Sequence, residues 1–561
     1  MGTTLKFLSE NTVRKCTFGK VKNMFELRPY QQEAKDNVFY HWDVLKNKNV
    51  LLNQATGTGK TVTFTSILKD CIQRGDRCLV LAHSGTLLDQ ARDKIKRLVG
   101  IECALEKSES SARDAWERVV LGSIQSLSQD KRLSEYPKNH FDTIVVDEAH
   151  HVMAPTYRSV LDHFSSAKVL GVTATPDRGD MQDLGEVFCA IAHEYTLPQA
   201  VRDGYLCPIK ALSIPLNIDI SNVKCTSDYQ LGSIGNVLDP YLHQIAREIV
   251  DKCSDRKTII FLPLIKTSLK MKEILISYGL HAEEVNGKSA DREQILQDFA
   301  DNKFQVLCNA MLLTEGYDCP DIDCVVPLRP TKIRSLFAQM VGRGTRIHPG
   351  KKNLLLLDFL WSTAQHNLCR PAHLIASSND IADKATKLIS QKEDSVDLEE
   401  IIDLAEEEVL HEREEALAKR LAEMRRKKMR LVDPLQYEMS IHGLDLSNYK
   451  PVFNWEKEKP DNEILSRIET LGVSTVDITN SGQATQILNT LVKRQRDGLS
   501  TPKQIRFLEQ KKFKDVGLWS FDDANDMITL IKNNNWMVPY RIKASEYKPK
   551  GMRDEQQRNK A

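Results

Sequence analysis

Gln54-Ala55-Thr56-Gly57-Thr58-Gly59-Lys60-Thr61 follows the apolar run Asn49 to Leu52 and precedes the helical pattern Val62 to Lys69, and this strand-loop-helix order decides the fold. Phosphate is held by several backbone amides aimed one way. Only residues without a side chain let the chain curl that tightly, which accounts for Gly57 and Gly59 on either side of Thr58. Lys60 then reaches the outer phosphates of ATP, and the Thr61 hydroxyl is placed to ligate Mg²⁺. Gln54 stands where the strict pattern GxxxxGK[ST] has glycine.

Working outward, Cys78 to Ala82, Val119 to Gly122, Thr143 to Val146 and Val169 to Thr173 are further β-rich runs, each followed by a loop and a helical stretch. Near-continuous apolar runs of this kind belong to parallel strands covered on both faces. A second series comprises Thr258 to Leu262, Ala282 to Val285, Val306 to Ala310, Cys324 to Pro327 and Leu354 to Asp358. The expected class is α/β: two tandem parallel-sheet lobes, joined near Leu197 to Leu216, with Asn217 to Leu238 as irregular connection. Two such sheets side by side leave a cleft at their strand ends, where α/β folds place ligands.

Asp147 and Glu148 emerge from the strand Ile144-Val145-Val146 at that cleft. One acid, Asp147, suits the metal; its neighbour, Glu148, suits the orientation and deprotonation of an attacking water. An acid pair after a strand also reads as a helix N-cap. His150 is assigned to coupling between the lobes and His151 to structure. Arg343 and Arg346, three apart, would share one helix face and meet charge developing on a transferred phosphoryl group. A pair facing solvent or nucleic acid is the alternative.

Composition bounds the rest. The 561 residues, 41% hydrophobic, suffice for several domains. No apolar run approaches the roughly 20 residues of a membrane helix, and Met1 to Glu10 lacks a secretion-signal gradient, so a cytoplasmic protein is expected. The 12 cysteines contain no CxxC pair and read as reduced, mostly buried thiols. A net charge of +1 gives no overall field toward nucleic acid, so any such contact must come from local patches.

These blocks, with Leu27-Arg28-Pro29-Tyr30-Gln31-Gln32-Glu33 ahead of them, resemble the superfamily 2 helicases of the DEAH-box type, in the RadD and XPB-like branch, over about Phe25 to Leu374. The resemblance implies two RecA-like lobes hydrolysing ATP with Mg²⁺. It carries Arg28 and Gln31 into adenine recognition, and the stretch from Leu79 to Gln90, with His83, into motif Ia, although Ser84 stands where the family often has arginine or lysine. Gly122 to Leu127, with Ser123 and Gln125, is similar to motif Ic, and Thr173-Ala174-Thr175 to motif III. Leu313 to Asp318 resembles motif V, implying Gly316 and Asp318 on the nucleotide side and Thr314 on nucleic acid. Gln339, Arg343 and Arg346 match motif VI. The implied activity is an ATP-dependent DNA helicase or translocase acting in repair, recombination or phage defence. The form of motifs Ia and III and of the adenine block favours DNA over RNA; an RNA helicase or a nucleotide-gated motor subunit is the alternative.

The expected domains are an extension (1–24), the two lobes (25–200 and 201–380), a charged connector (381–435), a helical module (436–540) and a disordered tail (541–561). The connector turns from acid-rich (Glu399-Glu400, Glu406 to Glu408) to basic (Lys419, Arg420, Arg425 to Lys428, Arg430), and reads as a long solvated helix from Ser395 to Asp433 or as a phosphate contact at Arg425 to Arg430. The module repeats with an offset of forty positions, Leu465 matching Ile505 and Ile487 matching Met527, giving two helical hairpins near 461–495 and 501–535. They would pack on the motor or dock DNA or a protein partner. No cysteine follows Cys369, so the clustered cysteines of RadD-like tails are absent.

Overall fold

The computed structural model describes residues 26–549 except 84, 109, 175–183, 222, 224–227, 311, 312, 314–316, 318, 363–367, 425–436, 438–440, 442–448 and 450. Strands β1 (Asn49–Gln54), β2 (Cys78–Ala82), β3 (Cys103–Glu106), β4 (Val119–Ser123), β5 (Thr143–Asp147), β6 (Lys168–Thr173) and β7 (Ala190–Tyr195) form the first sheet, in the order β3-β4-β2-β5-β6-β1-β7. Every pairing in it is parallel. Helices cover both faces, so Val50, Leu51 and Leu52 are all fully buried although neighbours point to opposite faces. The second sheet comprises β8 (Ile209–Asp219), β9 (Thr258–Leu262), β10 (Ala282–Val285), β11 (Val306–Ala310), β12 (Cys324–Pro327), β13 (Leu354–Ser362) and β14 (Val396–Asp397). Its order is β10-β11-β9-β12-β13-β8-β14, parallel except for β14. The expected pair of RecA-like lobes is therefore present.

Several expectations need correction. Asn217 to Leu238 is not all irregular: β8 runs to Asp219, and Leu231–Leu238 is a helix that buries Ile234, Gly235 and Leu238 on one face. The second lobe does not stop at residue 380. Helix Asn379–Ser390 packs on it, and β14 adds an antiparallel edge to its sheet. Helix Leu398–Met424 is no solvated strut at its start, because Leu398, Ile401, Ile402, Ala405 and Val409 recur at helical spacing and are buried in the lobe core. Lys384 ties the same turns down through Glu408 (2.9 Å) and Glu412 (2.7 Å). Arg425 to Arg430 lie outside the described residues.

Helices Asn462–Leu471, Ser481–Arg496, Pro502–Gln510 and Phe521–Asn533 make two successive hairpins. Their caps repeat at the same offset: Asp461 and Thr501 cap the first helix of each hairpin, Asn480 and Ser520 the second, all through side-chain acceptors. The connecting turns differ. Val476 is 78% exposed and Ile478 buried in the first, whereas their counterparts Val516 and Leu518 are buried and exposed in the second. Nor is the chain loose from 542 to 547: Ile542, Ala544 and Tyr547 pack on the module core, and 550–561 lie outside the described residues. The segment ahead of the module seats it on the first lobe. A Cβ on Gly185 would lie 2.2 Å from the Val452 carbonyl oxygen, and the Trp455 indole N–H donates to the Cys189 carbonyl at 3.4 Å.

Among the described residues no cysteine is part of a disulfide, and all but Cys189 are buried. No helix among them is long and apolar enough to cross a membrane.

Candidate active site

Because β1, β5 and β6 are parallel neighbours, Gln54, Asp147 and Thr173 leave the sheet at one edge. After Gln54 the chain curls through Gly57 and Gly59, both at φ +88°, where a side chain is strained, and enters helix Lys60–Gln73. One carbonyl anchors this curl. The Tyr30 hydroxyl (2.6 Å), Gln31 Nε2 (3.1 Å) and Gln54 Nε2 (3.1 Å) all donate to the Thr58 oxygen. Gln54, the departure from the strict pattern, is fully buried and also accepts from the Thr63 hydroxyl at 3.0 Å, so it braces the loop from beneath.

The Glu148 side chain does not cap the following turn. The residue sits at φ +52°, ahead of the turn Ala149–His151, and its Oε1 takes the Lys60 ammonium at 3.1 Å. His150 Nδ1 is 3.4 Å from the other oxygen. Burial pushes the Glu148 carboxyl up, but the charge around it, the Lys60 ammonium foremost, outweighs burial and holds it below the usual carboxylate range. His150 is lowered to about 4 by burial, against the pull of Glu148, and is neutral at physiological pH. Asp147, half-buried, accepts the Glu148 backbone N–H at 3.0 Å. The Thr61 hydroxyl and the Asp147 carboxylate are hard oxygen donors of the kind magnesium takes, so the residues present fit that ion.

The second lobe closes directly on this loop. A Cβ on Gly342 would lie 2.4 Å from Thr56 Cγ2, and one on Gly57 would lie 3.2 Å from Thr345 Oγ1 and 3.8 Å from Arg346 Cγ. Arg346 is thus brought beside the loop that carries Gly57 and Gly59. The helix expected to carry both arginines stops at Gly342, so Arg343 is its cap and Arg346 lies beyond it on no shared face. Past the helix the chain is pressed against β13: a Cβ on Gly344 would meet Leu354 Cδ1 at 2.4 Å. Arg343 is buried and donates to the Tyr317 carbonyl at 2.8 Å. Lys351 holds the departing chain, its ammonium donating to the carbonyls of Pro320 (3.2 Å), Ile322 (2.5 Å), Gly344 (2.5 Å) and Arg346 (2.9 Å). Gln339 is buried one turn back.

Arg28 lies 4.9 Å above the Tyr205 ring, and Tyr30 stacks on Tyr195 at 4.0 Å. Sequence reading missed Tyr30, Tyr195, Tyr205, Gln54 and Lys351. The aromatic trio comes from three separated segments, and only the tyrosine inside the Arg28 to Gln31 block carried a signal. At the ends of β2 and β4, Gln125 donates to the His83 carbonyl (2.6 Å) and accepts from the Ser123 hydroxyl (2.8 Å), so those three residues meet. His83 also faces the His151 ring at 5.3 Å. Thr173 is buried at the end of β6. Thr175, Thr314, Gly316 and Asp318 lie outside the described residues.

Comparison with known proteins matches residues 24–178 to the profile described as "Type III restriction enzyme, res subunit" and residues 241–348 to "Helicase conserved C-terminal domain". The chain is similar to IRC3 of Saccharomyces cerevisiae, named as an ATP-dependent helicase (31% identity, 63% of this chain and 54% of that one). It is also similar to Schizosaccharomyces pombe irc3, named as a mitochondrial ATP-dependent helicase (30%, 60% and 57%). A third relative is Sulfurisphaera tokodaii XPB2, named as a DNA 3'-5' translocase (22%, 65% and 88%). The matches span little more than half the length of the two yeast relatives. Both profiles match in order, one on each of the two lobes that meet at the Gly57 to Gly59 loop, so the chain carries the paired domains of a superfamily 2 helicase.

Proposed function

We propose that the protein is an ATP-driven DNA helicase or translocase, remodelling DNA in repair, recombination or phage defence. The observation that carries this reading is the composite pocket: Lys60 and Glu148 on one lobe, with Thr345 and Arg346 of the other against Gly57. Backbone amides from Gly57 to Thr61 receive the phosphates, and Lys60 exchanges Glu148 for the outer ones. Thr61 and Asp147 hold magnesium, which offsets phosphate charge when bound. Glu148, released from Lys60, orients a water and takes its proton as the water oxygen bonds the γ-phosphorus and the bond to the β–γ bridging oxygen breaks. Arg346, with Arg343 and Gln339 behind it, meets the charge that develops. Arg28, Gln31 and the tyrosines hold the base. His150, Thr173 and Thr175 relay closure between the lobes, and loss of phosphate lets the lobes part, moving the polymer. His83, Ser123, Gln125 and Thr314 face that polymer.

Support for DNA comes from the relative named for DNA translocation. The test is ATP turnover with single-stranded, duplex and forked DNA and with RNA. DNA is expected to raise the rate; equal rates with and without every DNA form, but stimulation by RNA, would make this an RNA helicase. Closure can be tested separately. The methyl of Gly342→Ala meets Thr56 at 2.4 Å, so Thr56 with its loop, or the lobe that carries Gly342, must shift to accommodate it. A displacement on the order of 1 Å costs roughly 10²-fold in rate. The expected result is a kcat lowered by about that factor with a smaller change in KM for ATP.

A further inference from the structure

The loop after the last helix of the C-terminal module presents aromatic side chains that nothing above uses. Asn535 (φ +54°) and Trp536 (φ +61°) both take the left-handed conformation, which a bulky L-residue resists. The turn is tied in place: Trp536 N–H donates to the Ile531 carbonyl (3.0 Å), Met537 N–H to Asn534 (3.0 Å), and the Lys511 ammonium to the Trp536 carbonyl (2.6 Å). Held so, Trp536 is 53% and Met537 65% exposed, and Tyr540 is fully exposed. Phe507 meets the Trp536 ring edge-on at 6.0 Å. Three large side chains within five residues are thus exposed together, a patch of the kind that marks a contact surface.

Charge indicates what it contacts. From Met527 to Ser545 the sequence contains no acid, while Lys532, Arg541 and Lys543 lie there exposed; the adjoining Lys511, Lys512 and Lys514 add more cations before Asp515. Lys543 is partly answered by Glu546 at 3.4 Å. In a chain of net charge +1 this is a local excess. Cations for a phosphate backbone beside exposed rings for bases are the two components of a single-strand site.

We propose that Trp536 and Tyr540, flanked by Lys511, Lys512, Lys532 and Arg541, form a stacking surface for single-stranded DNA, sequence-independent and salt-sensitive. This rests on the DNA motor reading. Because Val452 and Trp455 seat the module on the first lobe, a strand held here is gripped on one side of the moving cleft.

The test uses the full chain without nucleotide, titrated against fluorescent poly-dT and an abasic oligomer of equal length and charge. The double variant Trp536→Ala/Tyr540→Ala is expected to bind poly-dT on the order of 10- to 100-fold more weakly, to lose its preference over the abasic oligomer, and to keep its salt slope. Lys512→Ala/Arg541→Ala should weaken both ligands and reduce the slope by about 0.7 per lost phosphate contact. Melting temperatures equal to the parent's establish that both variants fold. Parent-like poly-dT affinity in both folded variants would overturn the proposal and assign the surface to a protein partner. Failure of the motor reading is a different result: no stimulation of the parent's ATP turnover by any DNA.

Discussion

Glu148→Gln will bind ATP and fail to turn it over. The amide is nearly isosteric with the carboxylate and keeps the backbone at φ +52°, but it cannot take a proton from water. Loss of a general base of this kind costs roughly 10²- to 10⁴-fold. Before nucleotide binds, Lys60 at 3.1 Å holds the wild-type carboxylate ionised, and it is this carboxylate, freed when Lys60 turns to the phosphates, that accepts the proton. The substitution also removes the ion pair that phosphate must displace, so nucleotide affinity should hold or rise while single-turnover hydrolysis collapses. Stopped-flow binding of a fluorescent ATP analogue beside single-turnover hydrolysis measures both. Normal turnover in this variant would show that another group activates the water.

Arg346→Ala should be as severe for a different reason. The first lobe alone presents Gly57 to Thr61 and Lys60 to the phosphates, so ATP binding should survive. What disappears is the guanidinium of the residue whose Cγ the second lobe places beside Gly57. Arginines in that role contribute about 10³- to 10⁵-fold in kcat, or about 4 to 7 kcal/mol of barrier. Arg346→Lys should recover only part of this, because an ammonium keeps the charge but not the planar fork. A kcat within a few-fold of the parent's would place Arg346 outside the reaction.

Much of the fold was legible because parallel strands buried on both faces read as apolar runs, as Val50 to Leu52 and Ile259 to Leu262 do. β3, β7, β8 and β14 escaped notice: β3 and β14 are only four and two residues long, β7 carries His193 and Glu194 amid its apolar residues, and most of β8 lies within the expected join Leu197 to Leu216. The buried stripe from Leu398 to Val409 was hidden by Glu399, Glu400 and Glu406 to Glu408 on the remaining faces of the same helix, since composition records charge and not the side that bears it.

Sequence by itself determined the phosphate loop, the acid pair and their attachment to strand ends, because each depends on neighbours within a few residues. The caps of the repeated hairpins, Asp461 with Thr501 and Asn480 with Ser520, are local in the same sense and recur at a fixed offset. Only the tertiary structure decided that Lys60 and Glu148 form a pair, that three side chains converge on the Thr58 carbonyl, and that the helix ending at Gly342 leaves Arg346 beside Gly57. Those contacts join segments tens to hundreds of residues apart, and their geometry is set by how closely two packed surfaces approach, which no local pattern along the chain encodes.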